Sequence, residues 1–212
     1  MNAVKTVCVS TIIKTCVVAA LLLITSLTQG AEPSEFRVQG GTVKFTASTN
    51  VSVMTVRGQS TQMTATLRLR RDAGHVELED VHARIDPKTF TTGMSVRDQH
   101  LRKKVFSLDN DAMPELQFAS DKITCPELST GRDATCPVSG QLTLHGVVRP
   151  FAINILVLND GKTYRISGAG AVKLSSFGIE PPCQLGVCVA DEVKLSLEFQ
   201  AKQTPFGSAG GY

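Results

Sequence analysis

In Val193-Lys194-Leu195-Ser196-Leu197-Glu198-Phe199-Gln200 every odd position is apolar and every even one polar. A side-chain period of two is that of a β-strand with one buried face and one wet face. Met63, Ala65, Leu67 and Leu69 alternate in the same way with Thr64, Thr66, Arg68 and Arg70. Tyr164, Ile166, Val172 and Leu174 share a face, with Gly168 and Gly170 between them. Those glycines weaken the strand but allow the sharp curvature that closing a barrel requires. From His75 to Ile85 the phase changes: Val76 and Leu78 are even, whereas Val81, Ala83 and Ile85 are odd. One extra residue near Glu79-Asp80, a β-bulge, restores the register.

Further strands are predicted at about 41–57, 115–124, 134–146 and 151–158. Asn159-Asp160-Gly161 is a hairpin cue, and Gly146 to Pro150 is a second turn. The resulting roughly eight or nine strands predict an all-β barrel or sandwich, because closure removes exposed edges. One segment departs from the pattern. Ser95-Val96-Arg97-Asp98 reads as a capping box, with an acidic residue three positions after Ser. Val96, Leu101 and Val105 then line part of one face of a short helix reaching about Phe106. Lys103 and Lys104 near its end suit the helix dipole.

The N-terminus reads as an export signal. Lys5 and Lys14 precede an apolar run, Cys16 to Ile24, which fades through Thr25, Ser26 and Thr28. Thr28 and Gly30 suit cleavage after Gly30 or, less well, after Ala31. The run is short for a transmembrane helix, which needs about 20 residues, so a retained anchor is the weaker alternative. No Cys follows the run at a lipoprotein attachment point. Residues 1–30 are therefore expected to be a signal peptide, 31–202 the folded domain and 203–212 a flexible tail. The 182 residues left after 30 of 212 are removed suffice for one domain with a real core.

Losing Lys5 and Lys14 lowers the formal charge from +3 to +1, which points away from nucleic acid and strongly anionic surfaces. Four of the six cysteines remain: Cys125, Cys136, Cys183 and Cys188. In an oxidising compartment an even count reads as disulfides, with three connectivities open. The local pairing, Cys125 with Cys136 and Cys183 with Cys188, is favoured because each pair brackets turn residues. Zinc spacing is absent. His145 is in phase with Gln141 and Thr143, on the polar face of its strand. Arg97, Asp98, His100 and Arg102 form a charged cluster. Its functional reading is a polar head-group contact at a barrel mouth, and its structural reading is a network pinning the helix, with Asp98 paired to Arg102. The nucleophile elbow and the His-Glu-x-x-His motif are absent, and residues two apart on a helix, such as Asp98 and His100, diverge. No enzyme is expected.

Three stretches resemble the YceI-like family of periplasmic lipid-binding barrels. The first runs from Thr89 to Arg102 and is followed by Pro114-Glu115-Leu116-Gln117-Phe118. The second is Gly140-Gln141-Leu142-Thr143-Leu144-His145-Gly146-Val147, and the third Ser175-Ser176-Phe177-Gly178-Ile179. The resemblance spans about 36 to 201. It implies an antiparallel lipocalin-like β-barrel of about eight strands with a short helical insertion. It also implies a periplasmic carrier whose apolar cavity holds a polyisoprenoid, an isoprenoid quinone or another amphiphile, with no other cofactor. The ligand contacts implied are Phe90, Met94, Arg97, Asp98, His100, Leu101, Phe106, Phe118, Leu142, Leu144, Phe151, Ile153, Tyr164 and Phe177.

The chain departs from the family pattern at Lys173-Leu174-Ser175-Ser176, which lacks an Arg and an Asp, and around Gly41 to Phe45. The Cys183–Cys188 loop looks like an addition. These departures bear on ligand identity more than on fold. A barrel of about eight strands either fills itself or holds one small ligand. The absence of Trp, with two Tyr against nine Phe, leaves room. The alternatives are a small periplasmic enzyme using Arg97, Asp98 and His100, or an adaptor whose Cys183–Cys188 loop contacts a membrane protein. A dimer is left open.

Overall fold

The computed structural model describes residues 34–72, 75–126, 128–161 and 163–203. The expected signal peptide and all but the first residue of the expected tail lie outside them. The strands are β1 (Ser34–Thr49), β2 (Thr55–Asp72), β3 (His75–Ile85), β4 (Leu116–Pro126) and β5 (Asp133–Leu144). After these come β6 (Val147–Asn159), β7 (Tyr164–Lys173), β8 (Cys183–Gln184) and β9 (Val187–Gln203). Neighbours pair antiparallel in the order β1 to β7, then β9, and β9 pairs back onto β1. Eight strands therefore close a barrel, and β8 is a two-residue ribbon folded onto the start of β9.

Up-and-down order gives the barrel two distinct ends. The β1–β2 turn, the helical segment and residues 174–186 gather at one end, here the mouth. The β2–β3, β4–β5 and β6–β7 connections lie at the other, the base.

The phase change in β3 is a bulge. Thr66 pairs with His82 but Arg68 with Glu79, and Asp80 takes a left-handed φ of 48°. Beyond it Val81, Ala83 and Ile85 return to the interior. Two predicted elements end differently. The strand expected over 41–57 is cut by a turn, where Met54 N donates to Val51 O at 2.8 Å and Thr49 Oγ1 donates to Met54 O at 3.0 Å. The polar run Ser48-Thr49-Asn50 supplies the turn chemistry, while Val51 and Val53 keep the strand parity on an exposed tip. The strand expected over 134–146 stops at Leu144. His145 (φ 54°) and Gly146 (φ 73°) then make a two-residue hairpin turn with both residues left-handed. His145 therefore does not lie on an outward strand face; its Nε2 donates to Ser107 O at 3.0 Å and ties the hairpin to the helical segment.

The β4–β5 seam is the weakest part of the wall. Ladder pairing is confined to Gln117–Ala119 against Gln141–Thr143. Toward the base, Ser120 Oγ donates to Ser139 O at 2.7 Å. The Cys125–Cys136 disulfide, both cysteines fully buried, then closes the seam with Cα atoms 4.8 Å apart. The second disulfide joins Cys183 to Cys188 across the β8–β9 hairpin, so the pairing is the local one.

Candidate functional site

The inward positions of the strands enclose a cavity of about 850 Å³. Its wall is apolar, with Val43 and Phe45 from β1, Leu67 from β2, Val81 from β3, Ile153 from β6, and Leu195 and Leu197 from β9. Small residues keep it open. Gly168 and Gly170 face Ile155 and Ile153, and a Cβ at Gly170 would stand 2.5 Å from Ile153 Cγ2. At the base Phe36 meets Tyr164 edge-on, ring centroids 5.6 Å apart. Toward the mouth Phe90 bridges Phe45 and Phe106 at 6.0 and 5.4 Å.

Helix α1 (Ser95–Leu101) continues as a wider π-type turn over Arg102–Phe106 and borders the mouth. Arg97, His100 and Lys104, spaced at i, i+3 and i+7, all line the cavity, with Leu101 and Val105 on the same face. Three cationic or ionisable donors thus stand together at a polar margin of an apolar chamber.

The segment is fastened by hydrogen bonds outside the helix. Asp98, 8% exposed, accepts from Thr92 N and Thr92 Oγ1 at 2.6 Å each and from Thr91 Oγ1 at 2.8 Å. Burial pushes its pKa up, but the bonds from Thr92 and Thr91 outweigh that and hold it below the usual aspartate value. Thr91 and Gln59 exchange two backbone bonds at 2.9 Å, tying this corner to β2. Arg102 donates to Lys88 O at 3.3 Å.

This corrects the capping box. Met94, not Ser95, holds the cap position, without a side-chain bond, and Asp98 reaches back past it to Thr91 and Thr92. Nor does Asp98 pair directly with Arg102, whose charge acts on it only from a distance.

Eleven of the expected contacts line the cavity: Phe90, Arg97, His100, Leu101, Phe106, Phe118, Leu142, Leu144, Phe151, Ile153 and Tyr164. Three do not. Met94 is half-exposed and its sulfur accepts from Arg97 at 2.8 Å. Asp98 is consumed by the two threonines, so it shares no substrate face with His100. Phe177 is buried behind Leu174, which takes the cavity position in the turn Leu174–Phe177.

Lys104, Thr92 and the hairpin residues Met54 and Leu185 also line the mouth and were not expected. For Lys104 the signal was its helical spacing from Arg97 and His100. Met54 and Leu185 had none, because each sits at a turn.

Toward the base, outward-facing Glu77 is buried beneath Lys122 Nζ at 2.5 Å, Arg70 Nη2 at 2.8 Å and His75 Nε2 at 3.5 Å. Hydrogen bonds from Lys122 and then Arg70 lower its pKa to about 2. This network clamps β2, β3 and β4. Among the described residues no cluster of His, Cys, Asp or Glu is placed to hold a metal, and no helix is long and apolar enough to cross a membrane.

The YceI-like domain model matches residues 35–201. A UPF0312 protein of Pseudomonas syringae pv. syringae is 33% identical over 117 residues, covering 52% of this chain and 58% of that protein. One from Azotobacter vinelandii is 30% identical over 115 residues, covering 51% and 57%. The chain thus aligns with less than two thirds of the length of these relatives.

Among solved structures, Burkholderia cenocepacia BcnA superposes with a TM-score of 0.58 at 21% identity, covering 76% of this chain and 95% of that one. A polyisoprenoid binding domain from Saccharophagus degradans, implicated in plant cell wall breakdown, gives 0.58 at 16% identity, covering 80% and 98%. At these identities the likeness is one of fold: a closed antiparallel eight-stranded barrel with one short helix.

Proposed function

The chain belongs to the YceI-like family, and we propose that it is a periplasmic carrier holding the tail of an isoprenoid-like lipid or similar amphiphile in its barrel. The observation that supports this reading is the apolar cavity of about 850 Å³, open beside α1. Pockets that bury most of a small ligand run about 300–1,000 Å³, so one tail of moderate length is accommodated. The tail lies against the glycines of β7 and the paired leucines of β9, and the head group meets Arg97, His100 and Lys104. Each buried methylene contributes about 0.8 kcal/mol before ordering costs, against about 1 kcal/mol net for one head-group hydrogen bond. Affinity therefore comes from the tail, and the polar margin sets its direction. Domain limits of 31–202 and export by cleavage after Gly30 belong to the same proposal.

Native mass spectrometry of the exported protein, followed by organic extraction, tests it. A discrete lipid mass that leaves on extraction is expected. A barrel that purifies empty and takes up neither an isoprenoid quinone nor a polyprenol would overturn it.

A further inference from the structure

Among the described residues eight large hydrophobic side chains are exposed, and six of them, Val51, Val53, Met54, Met94, Val96 and Leu185, surround the mouth. Isolated exposed apolar residues are ordinary on a protein surface; their concentration around one opening is not. Val53 is 89% and Leu185 97% exposed. Their two hairpins form a single lip: Asn50 Nδ2 donates to Gly186 O and Cys188 N donates to Asn50 Oδ1, both at 2.9 Å. Met54 and Leu185 also line the cavity, so the lip contributes apolar side chains to both the outer surface and the interior. The helical segment on the other side of the opening is cationic, and the acidic Asp109 and Asp111 follow only after its end. Arg97, Lys103 and Lys104 lie on the helical segment, and its one acidic residue, Asp98, is buried against Thr91 and Thr92.

We propose that this end docks on a lipid bilayer containing anionic lipid. The hairpin tips enter between the head groups and the helical segment lies along the phosphates, as interfacial helices with apolar and basic faces do. Charge complementarity selects an anionic surface, and the lip residues that also line the cavity give the contact a use. A tail passes between bilayer and barrel over these apolar side chains. The proposal goes beyond the carrier reading, which concerns only what the barrel holds.

The chain contains no tryptophan, so Val53→Trp and Leu185→Trp each introduce a unique fluorophore into the full chain. Leu156→Trp, on the exposed outer face of β6, is the control. Vesicles of phosphatidylglycerol and phosphatidylcholine with brominated acyl chains are added. The expected result is a blue shift and quenching for V53W and L185W but not for L156W. Because bromine quenches only at short range, the signal reports on the substituted position, whatever else in the chain binds. In the L185W background, Arg97→Glu with Lys104→Glu is expected to weaken vesicle binding about tenfold or more, since each cation near an anionic surface is worth about fivefold.

Circular dichroism checks that each variant keeps its strands. Three outcomes overturn the proposal: no response of L185W to anionic vesicles, equal quenching of L156W, or indifference to the charge reversal. A photo-crosslinker at position 185 that captures a protein and no phospholipid also overturns it. Lipid extracted from the same preparations reads the carrier function separately, so bound cargo without tip insertion defeats the docking alone.

Discussion

Asp98 accepts two hydrogen bonds from Thr92, one from its backbone N and one from its Oγ1, each at 2.6 Å. The pair fixes the entry of the helical segment, and with it the direction in which Arg97 and His100 face the mouth. Asp98→Ala is expected to lower stability by about 1–2 kcal/mol, the net worth of a hydrogen bond to a charged group plus the donors left behind. Urea midpoints check the energy. Hydrogen exchange at the Thr92 amide checks the place, and unchanged protection there would show that the pin lies elsewhere.

Cavity volume governs binding more than any one polar contact. Leu195→Trp extends a bulky ring into the chamber from β9, where the wild-type side chain lines empty space. Excluding roughly five methylenes of a tail forfeits about 4 kcal/mol. His100→Ala removes one head-group contact, worth about 1 kcal/mol. Titration with an isoprenoid quinone should therefore show a loss near a thousandfold for L195W and within tenfold for H100A. The reverse order would mean that the head group, not the tail, carries the affinity.

The wall was readable where two neighbouring strands impose one period. The alternation of Val193 to Gln200 and the phase change near Asp80 each had one structural solution. Val51 and Val53 misled because parity alone does not distinguish a strand from an exposed turn tip that keeps the same rhythm. The role of Asp98 was misread because its partners, Thr91 and Thr92, precede the helix, whereas a capping box looks inside the first turn. The openness of the interior depends on small residues from different strands, Gly168 and Gly170 on β7 and Ala83 on β3, lining one cavity, a sum over strands that no local window contains.

The two disulfides are predicted to act differently. Each closes a short loop, with sequence separations of 11 and 5. Loop entropy alone gives about 3 and about 2 kcal/mol. The Cys125–Cys136 bond also spans the part of the β4–β5 seam that lacks ladder pairing. C125A/C136A should therefore lower Tm more than C183A/C188A. The second double variant should instead loosen the lip, visible as faster exchange at the backbone amides of positions 188 and 189, which in the wild type donate to Asn50 and Pro182. Equal Tm losses would mean that the seam holds without its covalent link.

Glu77 sets how the barrel responds to acid. Its carboxylate, ordinarily titrating near 4.5, is held down to about 2 by hydrogen bonds from Lys122 and then Arg70. As pH falls, the unfolded chain takes up this proton before the folded one, so folding loses stability over that interval. The contribution is complete above pH 4.5 and is lost as pH drops through about 2. Glu77→Gln removes the carboxylate and leaves Lys122 and Arg70 without it on the outer wall. The variant should melt lower at neutral pH, and its Tm should fall less steeply between pH 4.5 and 2 than that of the wild type. Salt should narrow the neutral-pH difference, because the Lys122 and Arg70 side chains are about half exposed and their charges are screened. Melting curves that run parallel across the acid range would mean that the clamp on β2, β3 and β4 is one of packing rather than charge.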